Sequence, residues 1–322
     1  MNTSEFIKTA DALSKAAEPF LFLIDFEMQQ PRLWLPHQVE VDELLFSING
    51  FTNAPVVESN KELSLKVESI NQADYRMKFD KVMDHLHYGN SFLTNLTVKS
   101  RIEINATLKE LFFQVKAPYR CWLRNQFLFF SPESFIKISA GKIYAYPMKG
   151  TIDASIADAA AVILNNEKEK AEHVTIVDLI RNDLAQVAAN VRVSRFRYLD
   201  KIKTNRNSIL QVSSEVMGEV LPEYQQKIGS LLATLLPAGS ISGAPKKKTL
   251  AIIQEAEQDL RGYYTGVFGY FDGHNLDSCV NIRFIEQQDD FFHYRSGGGI
   301  TTRSNWQAEY NEVIQKIYVP VN

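Results

Sequence analysis

Tyr144-Ala145-Tyr146-Pro147-Met148-Lys149-Gly150-Thr151 ends a predicted β-hairpin around which the rest of the chain is arranged. The alternation that begins at Ile143 predicts a strand ending at Lys149, with these two residues on the same face. Gly150 then allows the backbone to turn, and Thr151 offers a hydroxyl group. A lysine in partly apolar surroundings can lose its proton near neutral pH and act as a nucleophile or base. The alternative is a solvated lysine at a strand end.

The pattern on either side of this hairpin predicts antiparallel strands with helices between them. Residues 135–139 and 142–148 form the hairpin itself, joined by Ala140-Gly141. Further strands are predicted at 19–26, 31–35, 44–46, 91–104, 119–124, 127–131, 191–196, 210–219, 263–271, 278–286 and 290–295, and helices at 73–88, 108–115, 155–165, 168–188, 222–235, 246–258 and 305–318. The strands are too many for one sheet and lack regular β-α-β alternation, so we expect a single α+β domain over residues 1–322.

Composition and charge exclude several classes of function. With a net charge of −3 and a pI near 6.1, the chain has no basic field that would draw it to nucleic acid or to an anionic membrane. Its two cysteines, Cys121 and Cys279, give neither a disulfide framework nor a metal-binding spacing. The longest apolar run near the N-terminus, residues 19–24, is too short to span a bilayer, and acidic residues before it argue against a signal peptide. We therefore expect a cytoplasmic protein with no nucleic-acid or membrane partner.

Two pairs of glutamates stand at helical spacing. Glu169 and Glu172 are three residues apart on one predicted helix, and Glu309 and Glu312 are three apart on the last one. Residues at this spacing share a helix face, so each pair can point at one place. A set of oxygen ligands without histidine or cysteine suits magnesium. The alternative is a pair of glutamates on a solvated helix face.

Three segments could bind anions. Gly297-Gly298-Gly299 is expected to break the preceding strand and expose backbone N–H groups as a carboxylate nest. Arg283, expected within the strand at 278–286, could bind a carboxylate through two parallel hydrogen bonds. The loop at 237–245 resembles a phosphate loop but lacks the order of a Walker motif. Taken singly, each has an ordinary structural explanation, as a strand break, a surface arginine or a plain loop.

Taken together and in order, these segments resemble the chorismate-utilising enzymes over roughly residues 75 to 318. The resemblance is carried by GNSFLTNLT at 89–97, SPE at 131–133, PMKGT at 147–151, EKAEH through DLIRNDL at 169–184, GSISGAPK at 239–246, RGYYTGVFGYF at 261–271, Ile282-Arg283, GGGI at 297–300 and EYNE at 309–312. It implies two mostly antiparallel β-sheets packed together with helices outside, a shortened N-terminal region of about residues 1–72, and Mg²⁺-dependent chemistry on chorismate.

The resemblance also implies roles for individual residues. Glu172 and Glu312 would ligate the magnesium ion, with Glu169 and Glu309 supporting them. The residues implied to bind substrate are Gly297, Gly298, Gly299 and Lys316 at the ring carboxylate, Tyr264 and Arg283 at the enolpyruvyl carboxylate, and Ser240, Gly243 and Thr151 along the pocket.

Lys149 separates the branches of this family. Anthranilate synthases have alanine at its place, whereas the aminodeoxychorismate synthase component I family has lysine. In that family the lysine attacks ring carbon 2 as the 4-hydroxyl leaves, and ammonia then adds at carbon 4 and expels the lysine. Glu133 is the candidate acid for the leaving hydroxyl. Leu93 stands where isochorismate and salicylate synthases carry a water-activating lysine, which argues against both.

The resemblance therefore implies that chorismate and ammonia become 4-amino-4-deoxychorismate, for p-aminobenzoate and folate synthesis. The chain has no glutaminase nucleophile motif, so we expect the ammonia to come from a glutamine amidotransferase subunit. Ile152-Asp153-Ala154 and Gln211 depart from the family pattern. The alternatives are anthranilate synthase component I, a non-catalytic chorismate-binding relative, and a pyridoxal-phosphate enzyme with its Schiff base on Lys149.

Overall fold

Two antiparallel β-sheets form the centre of the fold. The computed structural model describes residues 1–57, 62–203 and 208–320, and within them each sheet has nine strands. The strands are β1 Phe20–Ile24, β2 Arg32–Trp34, β3 Leu44–Ile48, β4 Phe51–Thr52, β5 Leu65–Glu68, β6 Leu93–Ile104, β7 Tyr119–Leu123, β8 Phe127–Ser131, β9 Ser134–Ser139, β10 Lys142–Ala145, β11 Met148–Asp153, β12 Ala188–Lys203, β13 Ser208–Val220, β14 Gly243–Ala244, β15 Val267–Phe271, β16 Leu276–Val280, β17 Phe284–Gln288 and β18 Phe291–Ile300.

The helices lie on the outer faces of the sheets. They are α1 Thr3–Lys15, α2 Gln72–His87, α3 Leu108–Gln114, α4 Ala159–Leu164, α5 Glu167–Leu184, α6 Ile228–Leu235, α7 Lys246–Glu257 and α8 Trp306–Gln315, with short 3₁₀ turns at Pro36–Gln38 and Gly239–Ile241. Helices α1, α5 and α6 share an apolar cluster with the first sheet, and α2, α7 and α8 share one with β6 and β18 of the second. The predicted arrangement of two sheets with helices outside is confirmed. No described helix is long and apolar enough to cross a membrane.

The strand order fixes which segments meet. The first sheet runs β11-β13-β10-β9-β16-β15-β1-β2, with β12 paired to β13, and the second runs β14-β6-β18-β17-β8-β7-β3-β4, with β5 paired to β6. Between the sheets lies a shared core that includes Leu21, Leu23 and Phe268 from the first and Phe46 and Phe129 from the second. Strand β1 is buried on both faces, which explains why its sequence is continuously apolar instead of alternating.

The prediction of one continuous strand from Ile143 to Lys149 is wrong, because the strand is interrupted at Tyr146-Pro147. Proline has no N–H to donate to a sheet, and β10 ends at Ala145. A new strand, β11, begins at Met148 and continues past Gly150 to Asp153 along β13. Lys149 is therefore not at a strand end but in a bulge near the start of β11.

Two other expectations about strands are corrected. The glycines at 297–299 do not break the last strand but continue it, paired with Thr97, Leu96 and Asn95 of β6. The strand predicted at 278–286 is interrupted at residues 281–283, where Arg283 has φ +54° and separates β16 from β17. Helix α1 was not predicted, and residues 58–61 of the weakly patterned N-terminal region lie outside the described residues.

Candidate active site

A cavity of about 870 Å³ lies where the ends of both sheets meet helices α5 and α8. Strand β11 contributes Lys149 to its wall, β18 contributes its glycines, and the two helices contribute carboxylates. The predicted site residues in its lining are Glu133, Lys149, Thr151, Glu169, Glu172, Ser240, Tyr264, Arg283, Gly297, Gly298, Gly299, Glu312 and Lys316. Residues far apart in sequence thus converge on one space large enough for a small organic acid.

Two predicted site residues are not in the lining formed by the described residues. Gly243 pairs with Thr94 of β6, and its φ of +138° and close approach to the Leu93 carbonyl leave no room for a Cβ. The expectation that Gly243 lines the pocket is therefore corrected, since it serves backbone packing. Glu309 lies behind the cavity wall, where it accepts a hydrogen bond from Ser304 Oγ at 2.7 Å.

Lys149 forms an ion pair across the cavity wall. Its Nζ lies 2.7 Å from Glu172 Oε2. Burial acts to lower the pKa of Lys149, but the negative charges of Glu172, Glu312 and Glu169 outweigh it and raise the pKa above its usual value. The expectation that apolar surroundings favour a neutral Lys149 is therefore wrong, because the neighbouring carboxylates favour its protonated form. Its charge is controlled by the neighbouring carboxylates.

Gly150 lets the bulge in β11 approach helix α5. Between Met148 and Thr151 the pairing with β13 shifts by one residue, and Gly150 adopts φ +88°, a conformation that favours glycine. A Cβ at this position would lie 3.0 Å from Glu169 Oε2. The bulge therefore places Lys149 close to the carboxylates of α5, and a larger residue at position 150 would push the two apart.

The two glutamate pairs offer oxygen ligands from helices α5 and α8. Glu169 Oε2 is buried and has no hydrogen-bond partner among the described residues. A Cβ on Gly298 would lie 3.7 Å from Glu309 Oε2, Glu312 Oε1 and the Nζ of Lys316. The absence of that Cβ leaves space beside these carboxylates.

The residues present fit a magnesium ion by chemistry, although they do not form a ready-made metal site. Magnesium prefers carboxylate oxygens and keeps several waters, and the orphaned Glu169 oxygen lacks the hydrogen bond that a buried carboxylate normally has. Glu172 and Glu312 are each engaged by a lysine at 2.7 Å, Lys149 and Lys316 respectively. No three His, Cys, Asp or Glu side chains in the described parts of the chain are close enough to hold a metal as they stand.

The backbone of β18 presents donors to the cavity. The amides of Asn95 and Thr97 on β6 donate away from β18, to the Ser242 carbonyl and to Glu257 Oε1. In an antiparallel pair, opposite residues point their N–H and C=O groups in matching directions. The N–H groups of Gly297 and Gly299 therefore point away from β6. Lys316 Nζ donates to the Gly297 carbonyl at 2.8 Å, which adds a positive charge at this edge.

Arg283 provides a second place for an anion. Its Nε is buried and has no hydrogen-bond partner among the described residues, and its guanidinium lies 4.9 Å from the centroid of the Tyr318 ring. A buried guanidinium N–H without a partner is costly, so a carboxylate ligand here would be stabilised. The break between β16 and β17 is what turns this side chain into the cavity.

Glu133 lies partly buried in the cavity wall, just after the end of β8. Burial raises the pKa of Glu133 above its usual value, against the opposing effects of Ser240, Lys316 and Arg283. Ser240 Oγ donates to Glu133 Oε1 at 3.0 Å. A carboxyl group that keeps its proton more readily is suited to act as a general acid near neutral pH.

Replacing Glu133 by glutamine is expected to stabilise the protein progressively as the pH rises. Because the folded-state pKa of Glu133 is raised, its contribution to stability is present below the unfolded carboxyl pKa of about 4.3 and is lost as pH rises through the folded pKa. Glutamine has the same shape and does not ionise. The Tm of the variant should exceed that of wild type by about 1–2 °C at pH 8, the shift that about 1 kcal/mol gives in a chain of this length, and by much less at pH 4.

Thermal unfolding of both proteins over this pH range checks the trend, with the exposed Glu223→Gln as control. A Tm difference that shrinks as pH rises would contradict a raised pKa at Glu133.

Some cavity residues were not identified from the sequence as site residues. Arg295 lies in β18 before its three glycines, Arg303 follows β18, and Gln315 stands beside Lys316. Gln315 lies three residues after Glu312, so helical spacing would have found it. Arg303 carried no such signal, because its place at the cavity depends on how the chain turns after β18.

Comparison with known proteins identifies the family of this chain. A model of the family described as chorismate binding enzyme matches residues 20–322. The chain belongs to the chorismate binding enzyme family. The cavity that gathers Lys149, the glutamates and the glycine strand lies entirely within the matched region.

Relatives within this family are known at different distances. An uncharacterised PabA-like protein from Pasteurella multocida is 50% identical over 323 residues, covering 100% of both chains. Aminodeoxychorismate synthase component 1 from Escherichia coli is 30% identical over 77% of this chain and 57% of that protein. The crystal structure of anthranilate synthase component I from Streptococcus pneumoniae superposes with a TM-score of 0.67 at 26% identity, covering 80% of this chain and 59% of that one. These identities are too similar to choose between the two reactions, so the choice depends on the site.

Proposed function

We propose that this protein converts chorismate and ammonia into 4-amino-4-deoxychorismate, the reaction named for the aminodeoxychorismate synthases. The observation that supports this most directly is Lys149, whose Nζ faces the cavity 2.7 Å from Glu172 among groups suited to bind anions. A primary amine at this position can serve as a nucleophile. An enzyme that added ammonia directly to the ring would not need one.

The anion-binding groups would hold the two carboxylates of chorismate at opposite ends of the cavity. We assign the ring carboxylate to the N–H groups of Gly297 and Gly299 with Lys316, and the enolpyruvyl carboxylate to Arg283 and Tyr264. Glu172 and Glu312 would hold Mg²⁺, with Glu169 and Glu309 beside them; the ion would neutralise negative charge at the ring carboxylate. Fixing both ends of the substrate orients the ring carbons relative to Lys149.

In the reaction itself, Lys149 Nζ would bond to ring carbon 2 while the bond from carbon 4 to its hydroxyl breaks. The Glu172 carboxylate, 2.7 Å from Nζ, lies within reach of the proton that Lys149 must lose. Glu133 would give a proton to the departing hydroxyl, which leaves as water. Ammonia would then bond to carbon 4 while the Lys149–carbon 2 bond breaks. The proton that the new amine loses would restore Glu133, and Glu172 would return its proton to Lys149, so the enzyme returns to its starting state.

Ammonia is expected from a glutamine amidotransferase subunit in the cell. The Escherichia coli relative is named as component 1, which implies a partner component for that protein. Ammonium salts should replace the partner in vitro.

Product identification tests the proposal. The protein is incubated with chorismate, MgCl₂ and an ammonium salt, and the product is identified by mass and chromatographic retention against authentic standards. We expect 4-amino-4-deoxychorismate, formed only when ammonium is present. Anthranilate or isochorismate as the product would overturn the assignment, and chorismate binding without turnover would identify a non-catalytic relative. An absorbance band of bound pyridoxal phosphate in the purified protein would also contradict it.

A further inference from the structure

A buried ion pair beneath the cavity joins three segments of its wall. Arg261 and Glu257 are 1% and 3% exposed at their side chains, and Arg261 Nη2 lies 2.6 Å from Glu257 Oε1. A second contact of 2.9 Å joins Arg261 Nε to Glu257 Oε2, so the pair is bidentate. Neither residue lines the cavity, and neither has a place in the chemistry proposed above.

The remaining hydrogen bonds of the pair go to the backbone of cavity segments. Arg261 Nη1 donates to the Ile241 carbonyl and Nη2 to the Asn95 carbonyl, each at 2.8 Å. Glu257 Oε1 accepts from the Thr97 amide at 2.8 Å. Arg261 Nη1 also lies 3.4 Å from Thr265 Oγ1. Asn95, Ile241 and Thr265 all line the cavity.

This arrangement completes the part of the β6 edge that lies between its pairings with β14 and with β5, where no described strand covers it. Strand β14 is two residues long and pairs only with Leu93 and Thr94, so the backbone groups beyond it need other partners. The ion pair supplies them at Asn95 and Thr97, which lie opposite Gly299 and Gly297. The position of the three glycines of β18 therefore depends on β6, and the position of β6 at this edge depends on the ion pair.

The same arginine also fixes the segment that carries Ser240. Its bond to the Ile241 carbonyl holds the 3₁₀ turn at Gly239–Ile241, from which Ser240 Oγ donates to Glu133. Thr265 follows Tyr264 directly, so the third contact lies beside another predicted substrate contact. One side chain thus links β6, the partner strand of the three glycines of β18, to the segments that carry Ser240 and Tyr264.

We propose that the Arg261–Glu257 ion pair is a positioning element that holds the anion-binding strand and the Ser240–Glu133 pair in register for the reaction. Replacing a buried ion pair by apolar residues of similar volume is often neutral for stability. Stability alone therefore does not require two charges here. The pair instead makes hydrogen bonds to three backbone groups, of Asn95 and Thr97 on β6 and of Ile241 in the 3₁₀ turn.

The test uses a paired replacement, because removing one partner leaves an uncompensated buried charge and can unfold the protein. Glu257→Leu with Arg261→Met removes both charges. We expect Tm close to that of wild type, a fall in kcat of about 10²-fold through misplacement of the reacting groups, and faster amide hydrogen exchange confined to residues 93–99, 239–244 and 263–267. The matched control is Glu43→Leu with Arg124→Met, which removes an exposed ion pair remote from the cavity.

Two results would overturn the inference. One is a double variant with kcat within twofold of wild type. The other is faster hydrogen exchange throughout the protein, which would make the pair a general stabiliser. The kcat readout rests on the proposed function. Two other readouts do not rest on the proposed function. They are the hydrogen exchange, and the dissociation constant for chorismate measured by calorimetry with MgCl₂ and no ammonium. If wild type makes no aminodeoxychorismate, we still expect the double variant to bind chorismate more weakly and to exchange faster in these segments, and wild-type values of both would overturn the inference.

Discussion

Lys149→Ala is expected to reduce formation of 4-amino-4-deoxychorismate by on the order of 10³-fold or more, because loss of a covalent nucleophile removes the pathway and not merely a contact. Chorismate binding should change far less, since the anion-binding groups of β18 and Arg283 remain. Initial rates at saturating chorismate and ammonium, with product identified by mass, measure the first effect. Calorimetry without ammonium measures the second.

Lys149→Arg separates the charge of this residue from its nucleophilicity. Arginine can keep an ion pair with Glu172 but stays protonated and does not attack carbon. We expect it to be as inactive as Lys149→Ala. Lys142→Ala, an exposed lysine on β10 of the same hairpin, should retain wild-type rates. If Lys149→Ala still aminates carbon 4 at near wild-type rate, the covalent role is wrong and direct addition of ammonia replaces it.

Most of the residues that the structure gathers at the cavity were predicted from the sequence to lie together, but their geometry was not predicted. The alternation through Tyr144 to Lys149 looked continuous, because side-chain polarity does not register the missing N–H of Pro147. The structure instead has a second strand with a bulge at Lys149-Gly150. That bulge, and the ion pair with Glu172 that sets the charge of Lys149, depend on helix α5 crossing β11. No local pattern encodes such a crossing.

The glycines at 297–299 also show that local sequence patterns do not determine the geometry of the site. Three glycines weaken a strand locally, so a break was the reasonable prediction, yet pairing with β6 carries the strand through them. Arg283 was predicted inside a strand, whereas a local turn at positive φ separates it from β17. In both cases long-range pairing and turn geometry decided the outcome, and residues that do line the cavity were selected for partly incorrect local reasons.

Buried charge was least visible in the sequence. Glu257 and Arg261 stand four apart, a spacing typical of an exposed helical ion pair, and nothing local marks them as buried. Their burial follows from packing of α7 against β6 and of Phe26 beneath the guanidinium, 4.4 Å from its centre. Sequence patterns thus predicted which residues do chemistry better than which residues hold them.

Glu312→Gln and Glu172→Gln are expected to raise the Mg²⁺ concentration needed for half-maximal activity by at least about 10-fold, since outer partners of metal ligands alone contribute 10–100-fold to affinity. The amide keeps one oxygen but loses the negative charge that a hard divalent cation requires. Glu312→Gln also removes the ion pair that Lys316 makes at 2.7 Å. A readout independent of turnover is the chorismate dissociation constant, which should fall with added MgCl₂ in wild type and respond much less in the variants.

Glu167→Gln is the matched control, because Glu167 lies on the same helix α5 but its side chain is 83% exposed. It should leave both the Mg²⁺ requirement and the chorismate affinity as in wild type. Glu169→Gln distinguishes a direct from a supporting role: the orphaned Oε2 atom is buried, so an effect on Mg²⁺ affinity as large as that of Glu172→Gln would make Glu169 a ligand. Wild-type activity that persists unchanged in EDTA would contradict the magnesium assignment for all four glutamates. The lysine chemistry would then have to proceed with Lys316, Arg283, Tyr264 and the glycine N–H groups as the partners of the substrate carboxylates.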